Sequence, residues 1–186
     1  MILYSIPLLA LALLISVYYV TTVSPQAKED FMVPIAIQLS QLSPYGTCCQ
    51  LQNVLPLSVG IRGGVWNSHQ YDSEGLNGHY PLYYEAAPKG NKNYSYIHVR
   101  STVDRTYTLL DFFNLWGYPL GPNNTLGYTV PPLASQSSLY GPEWIWDMCV
   151  QFNGGPLNGG SWGNQTLVPG EGIILRYAGD GCLRFS

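Results

Sequence analysis

The chain has 186 residues, a formal net charge of −3 and only eight Lys and Arg side chains. Charged residues make up 10% of the chain, well below the usual quarter, so uncharged polar residues and tyrosine must cover most of the surface. This composition argues against a nucleic-acid partner, because neutralising phosphates requires clustered Lys and Arg. A surface of this kind is common in extracellular proteins.

The first twenty residues form an uncharged apolar run, and the first charged side chain in the chain is Lys28. Such a run is either inserted into a membrane or removed after it has guided export. We therefore predict a signal peptide or membrane anchor over residues 1–27 and an extracellular or cell-surface location. The length of the run suits an anchor that tethers the protein through Ile2 to Val20, whereas the small polar stretch after it suits a processing site.

Four cysteines accompany this export signal. An even count in an exported chain predicts two disulfides, and the absence of a C-x2-C spacing argues against a metal site. An adjacent bridge would strain the backbone, so we expect each member of the neighbouring pair to bond to one of the two distant cysteines. The disulfide cysteines are Cys48, Cys49, Cys149 and Cys182.

Three Asn-x-Ser/Thr sequons lie beside predicted turns, where a glycan would be tolerated. In a host that glycosylates exported proteins, the expected sites are Asn93, Asn123 and Asn164. The chain is therefore expected to be a glycoprotein.

Alternating and apolar runs predict strands after the leader. An extended N-terminal segment, residues 28–56, contains an apolar strand-like run and the cysteine pair. Period-2 alternation then predicts strands over residues 57–62 and 94–103, with a short strand over residues 80–85 between them.

One helix is predicted after these strands. Thr108 and Asp111 have the spacing of a capping box, and Gly117 stands where a C-terminal glycine belongs. Apolar residues recur at i, i+3, i+4 and i+7, which gives the helix one apolar face. That face consists of Leu109, Phe112, Phe113 and Trp116.

Two further strands are predicted over residues 144–152 and 173–177. Strands, one short helix and then more strands indicate an α+β domain over residues 57–186. The expected fold is β-grasp-like, a mixed sheet with one short helix packed across it.

Three stretches then share a pattern with a known family. They begin Thr108-Leu-Leu-Asp-Phe-Phe, Trp146-Asp-Met-Cys-Val-Gln-Phe-Asn-Gly and Val168-Pro-Gly-Glu-Gly-Ile-Ile. With them, Arg100 to Gly179 resembles the small β-grasp domain at the C-terminus of transcobalamin and intrinsic factor, which also occurs alone in secreted proteins of unknown function. Gly-Glu-Gly departs from the commoner Gly-Asp.

The resemblance implies a fold more than a function, since its motifs are a helix cap, a hairpin turn and a strand entry. In transcobalamins this domain contributes contacts to one face of a corrinoid. The large helical partner domain that completes such a site is missing from this sequence, so we expect no cofactor.

Two groups of polar residues are candidates for chemistry. Potential metal ligands or acid–base groups cluster in one loop, at His69, Asp72, Glu74 and His79. A solvated loop explains the same residues, and we expect neither a metal site nor catalytic residues there.

Aromatic residues supply the candidate binding site. Trp144 and Trp146 lie on the same face of a predicted strand, where they either pack into the core or form an exposed platform. Glu143 and Asp147 flank them, and paired carboxylates beside aromatics also occur in sugar-processing sites. The expected ligand-binding residues are Trp66, Tyr140, Trp144 and Trp146.

The sequence therefore predicts a secreted or surface-tethered binding glycoprotein that is not an enzyme. Its partner would be an extracellular protein, a glycan, a small ligand or a second copy. The alternative is a structural subunit of an extracellular filament, in which the apolar segment of residues 31–42 completes a neighbour's sheet. A third hypothesis is an extracellular hydrolase that uses the His69–His79 loop or the two carboxylates beside the tryptophans.

Overall fold

The computed structural model describes residues 25–41, 50–54, 58–85, 95–130 and 145–177. Within these ranges the chain is a mixed α+β fold with one eight-stranded mixed sheet, a separate two-stranded hairpin and one α-helix. Almost all of the predicted leader lies outside the described residues. In the described part, no helix has the length and hydropathy needed to cross a membrane.

The secondary structure elements follow one another along the chain in this order. The sheet contains β1 Glu29–Gln41, β2 Gln50–Asn53, β3 Val59–Ile61, β4 His79–Glu85, β5 Ser95–Ser101, β8 Trp146–Phe152, β9 Leu157–Gly159 and β10 Glu171–Tyr177. The helix α1 is Leu109–Trp116, the hairpin is β6 Asn124–Thr125 with β7 Tyr128–Thr129, and two 3₁₀ turns are Asp72–Glu74 and Trp162–Asn164.

The structure confirms the six strands and the helix that the sequence patterns predict. The patterns do not predict β2, β9 or the β6–β7 hairpin. These three elements are two to four residues long, too short for a period-2 pattern to develop.

The strand order is β3-β4-β5-β1-β10-β8-β9, and β2 pairs with the end of β1. β1 runs parallel to β10, with Ile35 beside Ile173, and antiparallel to β5, with Val33 beside Ile97. The segment predicted as a separate N-terminal extension, residues 28–56, thus supplies a central strand, and it shares one sheet with the rest of the fold.

Alternation along the strands gives the sheet two different faces. On β1, Val33, Ile35 and Ile37 are buried, whereas Met32 points to the other side and is 53% exposed. β5 alternates in the same way, with Ile97 buried in the core. We call the side that carries these buried residues the helix-covered face and the other side the opposite face.

The helix α1 packs on the helix-covered face and closes the hydrophobic core. The Thr108 side chain accepts from the backbone of Asp111, and the Asp111 carboxylate accepts from the Thr108 backbone, which completes the predicted capping box. Gly117 ends the helix in the left-handed region, at φ 84°. The predicted apolar face is confirmed, and its buried members are Leu109, Phe112, Phe113 and Trp116, joined by Leu115.

Candidate functional site

Three aromatic side chains form a cluster where β8, β10 and the β6–β7 hairpin meet. The Trp146 ring lies 5.1 Å from that of Tyr177, which in turn lies 5.9 Å from that of Tyr128. We call these three residues the Trp146 cluster. The hairpin thus contributes one ring and the ends of two sheet strands contribute the other two.

Two hydrogen bonds fasten the hairpin to the sheet within this cluster. The Trp146 indole N–H donates to the Tyr128 carbonyl at 2.9 Å, and the Tyr177 hydroxyl donates to the Thr129 carbonyl at 3.0 Å. The Trp146 and Tyr177 rings are thus anchored by their own polar atoms, whereas Tyr128 is held through its backbone carbonyl and the ring contact with Tyr177. Tyr128 remains 46% exposed, so the cluster presents one ring to solvent.

Trp146 itself lies in the core rather than on a platform, with 3% of its surface exposed. Of the two alternatives for Trp146, the structure therefore supports packing in the core over an exposed platform. Trp144 and Tyr140 lie outside the described residues, so their part in a ligand site stays a prediction.

Trp66 lies in a different part of the molecule. Its ring contacts Tyr80 of β4 edge-on at 5.6 Å, and its indole N–H donates to Asp72 Oδ1 at 2.9 Å. β4 and β8 are separated by three strands in the sheet, which corresponds to about 19 Å at the usual strand spacing. The structure does not bring Trp66 and Trp146 into one site.

The four candidate metal ligands of this loop do not converge, because they contact different partners. His69 Nδ1 lies 2.8 Å from Asp72 Oδ2 on an exposed stretch, while the His79 ring stacks on Tyr83 at 4.7 Å. Glu74 points elsewhere, toward Tyr107. No group of three or more His, Cys, Asp or Glu side chains in the described residues is placed to hold a metal ion.

A hydrogen-bonded network around Tyr107 fixes this loop to the sheet. The Tyr107 hydroxyl donates to Glu74 Oε2 at 2.7 Å and lies 2.8 Å from Ser101 Oγ. Arg105 forms an ion pair with Glu74 at 3.2 Å and stacks over the ring of Tyr71 at 4.7 Å. Burial raises the pKa of Tyr107, so the hydroxyl stays a donor at neutral pH.

The network around Tyr107 was not visible as a sequence pattern. Its members come from the loop, from β5 and from the segment before α1, and no spacing rule relates them. The available signal was compositional: fifteen tyrosines in a chain with few charges require many buried hydroxyl partners.

The carboxylate pair predicted for a hydrolase cannot be assembled from the described residues alone. Asp147 lies on β8 directly opposite Arg176 of β10, and Glu143 is outside the described residues. Arg176 donates from Nε and Nη2 to Gln38 Oε1 at 3.2 and 3.0 Å. Asp147, Arg176 and Gln38 therefore form a row of polar side chains across the opposite face.

The opposite face also has a depression of about 220 Å³. Gly172 forms its floor, Tyr96 and Pro34 border one side and Gln151 borders the other. Gln151 Nε2 is held by the Gly155 carbonyl at 2.7 Å. Because glycine has no side chain, Gly172 leaves a depression between its larger neighbours.

The predicted modification sites lie partly inside the described residues. Asn123 and Asn164 are exposed, whereas Asn93 lies outside. Thr125, the third residue of the first of these sequons, is buried and donates to the Gly121 carbonyl at 2.8 Å. Cys149 is buried in β8, and because the other three cysteines lie outside the described residues, the pairing stays a prediction.

No family model, no curated protein and no solved structure matches this chain.

Proposed function

We propose that the chain is a secreted or surface-tethered glycoprotein that acts by binding, with Tyr128 and Tyr177 as part of its binding surface. The observation that carries this proposal is the Trp146 cluster. An exposed tyrosine ring is held in place by a second tyrosine and a buried tryptophan. Tyrosine offers a large contact area at low entropic cost, with a polar hydroxyl for specificity.

The charge distribution supports binding rather than catalysis. Asp72 accepts hydrogen bonds from Trp66 and His69, and Glu74 is paired with Arg105 and Tyr107. Both carboxylates thus hold the loop in place, which is why we propose binding rather than catalysis. An uncharged partner that offers both apolar and hydroxyl surface, such as a glycan, fits an aromatic surface of this kind.

For the fold we propose a β-grasp domain of the transcobalamin type over residues 100–179. The parallel pairing of β1 with β10 at the centre of the sheet supports it, as does the position of β8 beside β10. Here the first strand comes from Glu29–Gln41, so the domain would extend beyond the stretch that carries the sequence resemblance.

Export and modification are proposed on the apolar leader, the four cysteines and the sequons. The exposed positions of Asn123 and Asn164 are compatible with glycans. Mass spectrometry of the mature protein would locate its N-terminus, its glycans and its disulfides in one experiment. An N-terminus at residue 1 with a retained apolar run would give the anchored form.

The filament alternative requires a specific rearrangement. A neighbour's segment would have to replace β1 between β5 and β10, since β1 pairs with both strands of its own chain. Light scattering coupled to size exclusion distinguishes the two: a monomer supports the binding hypothesis, and extended polymers support the filament. The hydrolase hypothesis, through the His69–His79 loop or through Glu143 and Asp147, remains third, because Asp72 and Glu74 of that loop already contact Trp66 and Arg105.

The binding surface is tested by comparing two tyrosines of equal exposure. Tyr128 in the cluster is 46% exposed, and Tyr118 after the helix is 45% exposed. We expect Tyr128→Ala to weaken binding about tenfold or more in titrations with a panel of soluble oligosaccharides, followed by tryptophan fluorescence. Tyr118→Ala is the control and should change affinity less than twofold. Equal effects of both variants, or no binding to any oligosaccharide, would contradict the proposal.

A further inference from the structure

Glu171 is a buried carboxyl at the beginning of β10. Only 3% of its surface is exposed, and its side chain is on the helix-covered face together with Ile173 and Leu175. A carboxylate in such an apolar place is costly unless hydrogen bonds compensate for the lost water. The partners of its two oxygen atoms therefore decide which protonation state suits the fold.

The two oxygens of Glu171 have unequal surroundings. Oε1 accepts a hydrogen bond from the side-chain amide of Gln165, while Oε2 is buried and has no hydrogen-bond partner in the described structure. Burial is the main cause that raises the pKa of this carboxyl, and the Gln165 side chain and the Val168 backbone oppose it only in part. The described neighbours that reach Glu171 are uncharged: Gln165, Val168 and, across the strand pair, Phe152.

Gln165 connects this carboxyl to a turn and to the helix. Its side-chain oxygen accepts from both the backbone N–H and the hydroxyl of Ser161, each at 3.0 Å. Its backbone carbonyl accepts from the N–H of Leu109 in the first turn of α1 at 2.8 Å. The residue that contacts Glu171 is thus the same residue that closes the turn of residues 161–165 and attaches it to the helix.

We propose that Glu171 and Gln165 form a proton-operated latch, in which the neutral carboxyl keeps the turn of residues 161–165 closed against β10 and α1. When the carboxyl ionises, Oε2 carries charge at a buried position where no described residue donates a hydrogen bond to it. Opening the turn admits water to that oxygen and relieves the cost. The turn contains the sequon residue Asn164, so the latch would also govern the mobility of an attached glycan.

This inference is independent of the proposed binding function, and NMR of the labelled mature protein tests it. The carboxyl carbon of Glu171 and the exchange protection of the Ser161 amide are followed between pH 4 and 8, with protection corrected for intrinsic exchange. We expect Glu171 to titrate above the ordinary range of glutamate, and the Ser161 protection factor to fall about tenfold or more through the same range.

Two internal controls make the result specific. The Gly64 amide, which donates to the Ile61 carbonyl in the turn after β3 at the far edge of the sheet, should keep its protection. In E171Q the Ser161 protection should be high and independent of pH, whereas in D30N, which alters an exposed carboxylate, it should follow the wild type. An ordinary titration of Glu171, or the same loss of protection in E171Q, would overturn the latch. If E171Q does not fold, the titration and exchange of the wild type decide alone.

Discussion

The two faces of the sheet are built from different interactions. On the helix-covered face, apolar side chains such as Ile35 and Leu175 belong to the same buried core as Phe113 of the helix. On the opposite face, the rings of Tyr83 and His98 stack at 4.6 Å, and Arg176 bonds to Gln38. Stability should therefore be concentrated on the first face, because a continuous buried apolar core contributes more than the stacked rings and polar pairs of the opposite face.

Phe113→Ala should show the largest effect, a loss of about 3–5 kcal/mol in the free energy of unfolding. The ring is fully buried between the helix and the sheet, so truncation leaves a cavity. Met32→Ala on the opposite face is the matched control and should change stability by less than about 0.5 kcal/mol, since that side chain is half exposed. Urea denaturation of both variants measures the difference. Similar small losses would mean that the helix does not cover a core.

Gly60→Ala should cost about 2–3 kcal/mol. Gly60 lies in β3 at φ 68°, and a Cβ there would collide with the Leu82 carbonyl and the Leu115 side chain beneath the helix. Gly63 has a similarly positive φ but open space around it, so Gly63→Ala should cost only the backbone strain, about 1 kcal/mol. Thermal unfolding of the two variants separates packing from strain. A larger loss at Gly63 would contradict the packing of β3 under the helix.

Tyr107→Phe should lower stability by about 1–2 kcal/mol at neutral pH, because Glu74 Oε2 loses the Tyr107 donor and keeps only the Arg105 ion pair at its other oxygen. The same variant should also change how steeply the free energy of unfolding falls at alkaline pH. Burial raises the Tyr107 pKa above its value in the unfolded chain. Above about pH 10 the unfolded chain therefore loses this proton while the folded chain keeps it, and stability falls as pH rises. Removing the hydroxyl should make that fall shallower. Stability curves from pH 8 to 11 that decline equally in both proteins would show that the hydroxyl is not buried.

Asp111→Ala should have the smallest effect, a loss of about 1 kcal/mol. The carboxylate accepts from the Thr108 backbone and hydroxyl, each at 2.8 Å, at a helix end that remains partly in water. Asp111→Asn keeps an acceptor oxygen and should lose less. Denaturant titration of the pair would contradict this account if either variant cost as much as Phe113→Ala.

The elements that local chemistry determines could be predicted from the sequence. The helix bounds follow from Thr108, Asp111 and Gly117, because their capping interactions involve only groups of the adjacent helix turn. Strands such as β5 follow from alternation, because one of their faces is buried. Neither feature depends on the rest of the chain.

The arrangement of these elements could not be predicted in the same way. The central position of β1 depends on pairing with β5 and β10, which lie about 60 and 140 residues further along the chain. The Trp146 cluster depends on a four-residue hairpin ladder that carries no sequence pattern. Period 2 places Trp146 on a face of its strand, but only the docked hairpin and Tyr177 explain how this residue becomes a buried anchor rather than a platform.

The position of β1 in its own chain's sheet is the central claim, and amide hydrogen exchange tests it most directly. In the monomeric protein, the N–H groups of β1 between Val33 and Leu39 should exchange as slowly as those in the middle of α1, since both require global unfolding. Protection of β1 no greater than that of the β6–β7 hairpin would contradict the account, because it would mean that this strand leaves the sheet while the remaining core stays folded.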